Sequence, residues 1–300
     1  MADLYPALLT LTREPSEDAR SGPGPSVDQD AMLQYLDWIQ SSRRSDGLFV
    51  LGSTGAGPIL PWAQQQDVLT LVRDSARQPV VVMVGPPLPR APFLEKRSWL
   101  RSRDFQSIAL LPPLYYAFPP DAQVATMTEA AASWPGDVWL YNIPQRVGYS
   151  LTYETVARIV DRCPNVVGIK DSSGDGANVP VWRQIFGRGR VFCGAEPVAV
   201  ASLLTGADGL VSQYASVLPE VGRVLATEDH PERCDIQASL NRLIQRSAHL
   251  PLMSLLGELG FQRGILPHRI QHPWPVLGDM AGDLVQEWLA LGRVAAAACL

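Results

Sequence analysis

Short apolar runs rich in β-branched residues recur along this 300-residue chain roughly every 30 residues, separated by stretches with helical periodicity. Eight of these runs have the length of a strand, and their nearly continuous hydrophobicity is typical of parallel strands covered on both faces. They are Ala7–Thr12, Gly47–Gly52, Pro79–Gly85, Ser107–Pro113, Asp137–Pro144, Asn165–Ser172, Arg190–Glu196 and Asp208–Ser216. This alternation predicts an α/β protein built as a (β/α)8, or TIM, barrel.

An open, doubly wound sheet is the alternative architecture. Such a sheet usually has fewer strands and a glycine-rich first turn. The segment after the first run, Arg13–Pro25, lacks a GxGxxG pattern, which favours the barrel. Most of this segment, Glu14–Pro25, is rich in Ser, Gly and Pro, and we expect it to be a mobile loop.

The pattern changes after Ser216, where strand-like runs stop and helical segments such as Leu250–Leu256 and Ala281–Ala297 continue toward the C-terminus. We therefore predict two parts. The (β/α)8 barrel would occupy residues 1–225, and a C-terminal helical extension would occupy residues 226–300.

Two barrel helices have recognisable starts. Ser26, with Gln29 three residues later, predicts a capping box ahead of an apolar stripe that includes Tyr35. Thr152 is expected to cap a later helix, which Pro164 would stop.

Composition excludes several classes of protein. No apolar run approaches the roughly 18 residues that cross a bilayer, and the N-terminus lacks the basic flank of a signal peptide, so we expect a cytoplasmic protein with no membrane partner. A net charge of −5 argues against a nucleic-acid partner. The four cysteines are far apart, and neither a disulfide nor a metal site is expected: Cys163, Cys193, Cys234 and Cys299.

Lysine is rare in this chain. Of the 25 lysine and arginine residues, only Lys96 and Lys170 are lysine, so chemistry that needs a deprotonated amine has two candidates. Lys96 lies between two charged residues, which indicates a solvated helix face. Lys170 follows the sixth apolar run, at the strand end where barrel enzymes carry reactive groups. Burial there would favour the neutral amine that attacks a ketone, although pairing with Asp171 or Asp175 is an equal alternative.

Two further strand ends carry polar groups. The fifth run places Tyr141 one βα unit before Lys170, where its phenol could move protons to and from a substrate held by the amine. An ordinary tyrosine at a barrel rim is the simpler interpretation. The second run closes in Ser53-Thr54-Gly55, whose hydroxyl and N–H groups could bind a carboxylate, or which could form only a tight turn.

The order and spacing of these features resemble the dihydrodipicolinate synthase / N-acetylneuraminate lyase family of class I aldolases. The resemblance extends to about Ser216. The motifs that carry it are Pro6–Thr10, Gly47–Gly55, Tyr115-Tyr116, Tyr141–Pro144 and Gly168–Asp175. It implies a barrel enzyme that forms an imine between a lysine and a 2-oxo acid.

The resemblance implies four catalytic residues. Lys170 would form the Schiff base and Tyr141 would relay protons. Thr54 and Tyr115 would complete a hydroxyl relay, in which Tyr115 is contributed to or shared with a neighbouring subunit. No metal or organic cofactor is implied, because the protonated imine is itself the electron sink.

The resemblance also implies residues that bind the 2-oxo acid. Ser53, Thr54 and Gly55 would hold the carboxylate of pyruvate. The backbone of Val211 would line the same site, although a place in the strand core explains Val211 equally well.

The second substrate is less constrained. Arg146 stands where synthase-like members bind the carboxylate of an aldehyde, or it lies on the surface. Glu196 stands where lyase-like members accept hydrogen bonds from sugar hydroxyls. Ala56 replaces the glutamate that normally continues the turn, and Pro86 follows the third strand where many members carry a hydroxyl-rich turn.

The expected function is a pyruvate-dependent aldolase or lyase that cleaves or forms a 4-hydroxy-2-oxo acid. The alternatives are dihydrodipicolinate synthase (4-hydroxy-tetrahydrodipicolinate synthase) activity, a dehydratase or deaminase of the same family, and a non-enzymatic barrel that binds a small carboxylic acid. The expected partners are a small-molecule 2-oxo acid, an aldehyde, and further copies of the chain in a homotetramer or homodimer.

Overall fold

Eight parallel strands alternate with helices in the residues that the computed structural model describes, which are 1–13, 26–41, 44–270 and 274–299. The strands are β1 Asp3–Pro6, β2 Leu48–Val50, β3 Val80–Gly85, β4 Ser107–Leu110, β5 Asp137–Asn142, β6 Val166–Asp171, β7 Arg190–Cys193 and β8 Gly209–Ser212. The helices that follow them are α1 Gln29–Gln40, α2 Trp62–Ser75, α3 Arg90–Ser102, α4 Pro120–Ala132, α5 Tyr153–Val160, α6 Asn178–Phe186, α7 Ala199–Leu204 and α8 Pro219–Ala226. The predicted (β/α)8 barrel is confirmed.

The barrel closes between β1 and β2, which lie at the two ends of the hydrogen-bonded strand order. An isolated bridge joins Ala7 to Phe49, and the Leu8 N–H donates to the Phe49 carbonyl at 2.9 Å. Asp46 supports this seam with two further bonds. Its N–H donates to the Leu4 carbonyl at 2.8 Å, and its Oδ2 accepts from the Leu4 N–H at 2.8 Å.

The first strand lies earlier than predicted. The run Ala7–Thr12 was expected to be the strand, but β1 occupies Asp3–Pro6. Most residues of the run are buried, but they follow the end of the strand. The apolar run therefore indicated burial and did not indicate pairing with a neighbouring strand. The other seven strands lie inside their predicted runs and are shorter, because the runs continue into buried loops above the barrel.

Asp28, and not Ser26, caps α1. The Asp28 side chain accepts from the Ala31 N–H at 3.1 Å, whereas Ser26 belongs to a short antiparallel pair with Thr12–Arg13. The predicted cap of α5 is confirmed, since the Thr152 side chain accepts a hydrogen bond from the Thr155 N–H in the first turn of that helix. The predicted mobile loop Glu14–Pro25 lies outside the described residues.

Large aromatic side chains fill the barrel interior. Tyr5 and Trp139 both contact Phe192, with ring centroids 5.1 and 4.9 Å apart, and Phe49 meets Tyr141 edge-on at 5.6 Å. A second, larger apolar cluster lies between the strands and the surrounding helices. The barrel interior below the C-terminal strand ends is therefore filled by packed side chains, which is the usual arrangement in this fold.

The C-terminal extension consists of α9 Arg233–Arg246, α10 Leu252–Gln262 and α11 Leu284–Ala298. Trp288 of α11 is fully buried and stacks on Tyr214, with ring centroids 4.5 Å apart, so the extension packs on the barrel. The predicted boundary after residue 225 falls at the end of α8, and that division stays a prediction. Within the described ranges, no helix combines the length and the hydropathy needed to cross a membrane.

Candidate active site

Lys170 lies at the C-terminal end of β6 and is only 4% exposed. Its Nζ donates to the Tyr141 phenol oxygen at 3.0 Å, because Tyr141 occupies the matching position of the neighbouring strand β5. The same Nζ lies 4.0 Å from the ring centroid of Phe49 and 4.1 Å from that of Tyr141. The amine is thus held between two aromatic faces, with a phenol as its hydrogen-bond partner.

Asp171 does not pair with Lys170, since successive side chains of a strand point to opposite faces. Its carboxylate accepts four hydrogen bonds, from Asn142 Nδ2 at 3.0 Å, Trp182 Nε1 at 2.7 Å, Asn178 Nδ2 at 3.1 Å and the Ser173 N–H at 2.8 Å. These bonds connect the ends of β5 and β6 and the start of α6. They hold the backbone on both sides of the Lys170–Tyr141 pair.

Gly194, directly after β7, leaves the space that the Lys170 side chain fills. A Cβ at this glycine would lie 2.8 Å from Lys170 Cε and 2.2 Å from Ser172 Oγ. The Gly194 N–H also donates to the Asp171 carbonyl at 2.7 Å, which draws the two strand ends together. A side chain at this position would therefore force Ser172, Lys170 or the Gly194 backbone to shift.

The hydroxyl-rich turn after β2 reaches the barrel mouth. Thr54 is buried and Ser53 is half-buried. The Gly55 carbonyl accepts from Thr10 Oγ1 at 2.7 Å, and a Cβ on Gly55 would lie 2.7 Å from a backbone oxygen, so this close approach requires glycine. Ala56, which follows, adopts a φ of 56°.

A cavity of about 360 Å³ opens beside this turn. Among the described residues, the polar ones that line it are Ser53, Thr54, Arg146 and Gln213. Arg146 is exposed on the one-turn helix Pro144–Val147, which begins directly after the strand that carries Tyr141. The remaining lining residues are apolar, namely Ala56, Pro58, Ile59, Pro251, Leu252, Met253 and Trp274. The structure therefore brings Ser53, Thr54 and Arg146 together.

Glu196 is not on the wall of this cavity. It is buried, and its Oε1 accepts from Ser212 Oγ at 2.9 Å, the Gln213 N–H at 2.6 Å and the Tyr214 N–H at 3.3 Å. Burial raises the pKa of the Glu196 carboxyl, and these three hydrogen bonds offset part of that effect. The carboxyl group holds the turn after β8.

Tyr115 lies apart from the amine. It is 90% exposed, has a φ of 77°, and its ring contacts that of Tyr116 with centroids 4.9 Å apart. Val211 is buried in β8, in the same interior cluster as Tyr141. Within one chain, the structure brings Val211 into the barrel interior with Tyr141 and leaves Tyr115 on the surface.

Lys96 is less exposed than predicted. Its side chain is half-buried, and its Nζ lies 5.6 Å from the ring centroid of Trp62. Burial lowers the pKa of Lys96. No group of three or more His, Cys, Asp or Glu side chains among the described residues is arranged to hold a metal ion.

Comparison with known proteins identifies the family of this chain. The sequence profile of the Dihydrodipicolinate synthetase family matches residues 24–273. The chain belongs to this family.

Members of the family with different names are similar to this chain. A 4-hydroxy-tetrahydrodipicolinate synthase of Synechococcus sp. (strain CC9605) is 35% identical over 184 residues, 59% of this chain, and the chain spans 60% of that relative's length. A 2-dehydro-3-deoxy-D-gluconate/2-dehydro-3-deoxy-phosphogluconate aldolase of Thermoproteus tenax is 26% identical over 243 residues, 79% of this chain and 76% of the relative. The Ruminococcus gnavus sialic acid aldolase shares the fold, with a TM-score of 0.86 at 21% identity and coverage of 100% of this chain and 99% of that one.

Three features of this family member were missed by the sequence analysis. Phe49 lies under the amine, and its position in an inward-facing strand was the only sequence signal for it. Gly194 lies within the predicted run Arg190–Glu196, and nothing in that run marked it as the position that leaves space for the lysine. Leu252, Met253 and Trp274 of the C-terminal extension line the cavity, and nothing in their local sequence indicated a contact with the turn after β2.

Proposed function

We propose that this chain is a Schiff-base-forming (class I) aldolase or lyase that acts on pyruvate or a related 2-oxo acid and cleaves or forms a 4-hydroxy-2-oxo acid. One observation carries the proposal. The Lys170 amine is buried at the C-terminal end of the barrel, 3.0 Å from the Tyr141 phenol oxygen. A nucleophile within hydrogen-bond reach of a proton-transfer group is the arrangement that imine chemistry requires.

The proposed reaction uses these two groups in sequence. The neutral Lys170 amine attacks the ketone carbon, and the resulting carbinolamine loses water when Tyr141 delivers a proton to its hydroxyl. The Tyr141 phenolate left by this step then takes a proton from the carbon adjacent to the protonated imine, which forms an enamine and restores the phenol. The enamine attacks an aldehyde carbon, and the reverse step cleaves the same carbon–carbon bond. Hydrolysis of the imine frees the amine.

The other residues support binding of the 2-oxo acid in this proposal. Ser53, Thr54 and Gly55 would hold its carboxylate, since the turn presents hydroxyl and N–H groups beside the cavity. The Val211 backbone would line the same end. Tyr115 would complete the relay with Thr54 only across subunits, and its 90% exposure suits a contact in a homodimer or homotetramer. We also propose a cytoplasmic location.

The second candidate is 4-hydroxy-tetrahydrodipicolinate synthase activity. The place of Arg146 on the cavity wall favours it, because a guanidinium can bind the carboxylate of an aldehyde substrate through two parallel hydrogen bonds. Steady-state assays with a carboxylated aldehyde would test this role. In Arg146→Gln, the KM for that aldehyde should rise by about tenfold, with little change for an uncharged aldehyde.

Borohydride trapping tests the main proposal directly. The folded protein is incubated with pyruvate and borohydride, and the adduct is located by peptide mass mapping. The chain offers its own matched control because it has only two lysines. The adduct should map to Lys170, disappear in Lys170→Ala and persist in Lys96→Arg. An adduct on Lys96 alone, or no adduct with any 2-oxo acid tested, would contradict the proposal.

A further inference from the structure

The cavity beside the turn after β2 has an apolar outer wall. Ile59, which is 55% exposed, faces it from the loop after that turn. Leu252 and Met253 face it from the start of α10, and Trp274 faces it from the segment that follows. Four large apolar side chains from three separate segments therefore meet at one site. Apolar surface gathered around a cavity with a few polar groups is typical of a ligand site.

The polar part of this cavity, as far as the described residues form it, is small and contains no acidic side chain. Among the described lining residues, the polar groups are two hydroxyls, the Arg146 guanidinium and the Gln213 amide. Sugar hydroxyls donate hydrogen bonds and are commonly bound by carboxylates, which accept them strongly. None of the described lining residues is Asp or Glu.

Glu196, the one carboxylate to which the resemblance assigns sugar hydroxyls, is engaged elsewhere. Glu196 accepts three hydrogen bonds from the turn after β8 and lines a separate small cavity with Leu210 and Leu240. A sugar chain here would place most of its hydroxyls against apolar side chains such as Ile59 and Trp274. Among the described lining residues, only Ser53, Thr54 and Gln213 offer side-chain acceptors, and a buried hydroxyl without a partner costs free energy.

We propose that the second substrate is an aldehyde whose body is alkyl or aryl, and not a polyhydroxylated chain. This rests on the proposed function, because the aldehyde would react with an enamine formed on Lys170. The enamine carbon bonds to the aldehyde carbon, the carbonyl π bond breaks, and its oxygen takes a proton from Tyr141. Water then hydrolyses the imine and releases a 4-hydroxy-2-oxo acid whose apolar body contacts Met253 and Trp274.

The first part of the test compares aldehydes in the presence of pyruvate. Pentanal and benzaldehyde are set against D-glyceraldehyde and D-erythrose, and products are identified by mass. We expect kcat/KM for pentanal and benzaldehyde to be at least about tenfold higher, because their alkyl and aryl groups are removed from water on binding. Equal or higher kcat/KM for the polyhydroxylated pair, or no turnover of either apolar aldehyde, would overturn the inference.

The second part uses a variant that spares the imine. Ile59→Asn should reduce kcat/KM for benzaldehyde by about fivefold. The matched control is Leu204→Asn, because Leu204 is 68% exposed at the end of α7 and is not among the lining residues. Leu204→Asn should change kcat/KM by less than twofold. Equal losses in both variants would show that the apolar wall does not bind the aldehyde.

Trapping separates the two proposals. Borohydride trapping of pyruvate should proceed equally in the unaltered protein, Ile59→Asn and Leu204→Asn. If trapping succeeds and the polyhydroxylated aldehydes are preferred, the inference is wrong and the imine chemistry stands. If no adduct forms in the unaltered protein, both are wrong.

Discussion

Charged side chains have different partners at the two ends of the barrel. At the N-terminal ends of the strands, acids are paired with arginines and backbone N–H groups. Asp46 Oδ2 accepts from the Leu4 N–H and from Arg223, each at 2.8 Å. Asp208 accepts from the Val191 N–H at 2.7 Å and pairs with an arginine of α6.

At the C-terminal ends, the Lys170 amine has a phenol as its partner, and Arg146 is exposed on the wall of the cavity. The four donors to Asp171 and the three to Glu196 hold the surrounding backbone. Arginines and backbone N–H groups are therefore the partners of these acids at one end. At the other end, neutral donors bind the two carboxylates that hold the backbone around the Lys170 amine.

Removing the phenol should have the largest effect on catalysis. Tyr141→Phe keeps the ring beside Lys170 but loses the proton-transfer group, so kcat should fall by about 10²–10⁴-fold. Tyr149→Phe is the control, because Tyr149 is also partly buried and donates to the Pro113 carbonyl at 2.6 Å. Activity of Tyr141→Phe within tenfold of the unaltered enzyme would contradict the proton-relay role.

Filling the space beside the Lys170 amine should have the second-largest effect on catalysis. In Gly194→Ala the new Cβ would crowd Lys170 Cε, and we expect the rate of borohydride-trapped adduct formation to fall by about tenfold to 100-fold. Gly176→Ala is a matched control, since a Cβ there would meet its nearest atom at 3.8 Å. Equal trapping rates in the two variants would show that Gly194 does not position the lysine.

A change at the opposite end should act on stability alone. Asp46→Ala removes the acceptor for the buried Leu4 N–H, so the free energy of unfolding should fall by about 1–3 kcal/mol in urea titrations, with kcat unchanged. The exposed Asp67 provides the comparison, and Asp67→Ala should stay within about 0.5 kcal/mol. A large loss of kcat in folded Asp46→Ala would break the contrast between the two ends.

The smallest expected effect is on the free energy of unfolding at low pH, through the Asp28 carboxyl. Arg13 is the main cause of the lowered pKa of the Asp28 carboxyl, and the Ala31 N–H and His268 lower it further. Because the unfolded chain has an ordinary pKa near about 4, this stabilisation is present above that pH and is lost as pH falls through the lower folded pKa.

Asp28→Asn should therefore weaken the pH dependence of the free energy of unfolding below about pH 4, by roughly 1 kcal/mol in urea titrations. Asp67→Asn is the control, because Asp67 is exposed on α2, away from Arg13 in the sequence. A steeper or unchanged pH dependence in Asp28→Asn would show that Asp28 does not carry this stabilisation.

Local pattern was sufficient for the barrel and for the central pair. Apolar runs at a regular spacing predicted eight parallel strands, and consecutive strand ends must be neighbours in a barrel. Tyr141 and Lys170 close two consecutive runs, so their proximity followed from chain order. The same logic brought Ser53 and Thr54 to the barrel mouth.

Tertiary packing decided the rest. Met253 and Trp274 lie about 200 residues from Ile59 in the chain, and no local periodicity reports which loops a distant helix will meet. The direction of the Glu196 carboxyl depends on donors from β8 and the turn after it. Periodicity and order along the chain are local properties, so they were sufficient to locate the strand ends of Lys170, Tyr141 and the turn after β2. Which side chains face the cavity depends on contacts between distant segments, and these exist only in the folded chain.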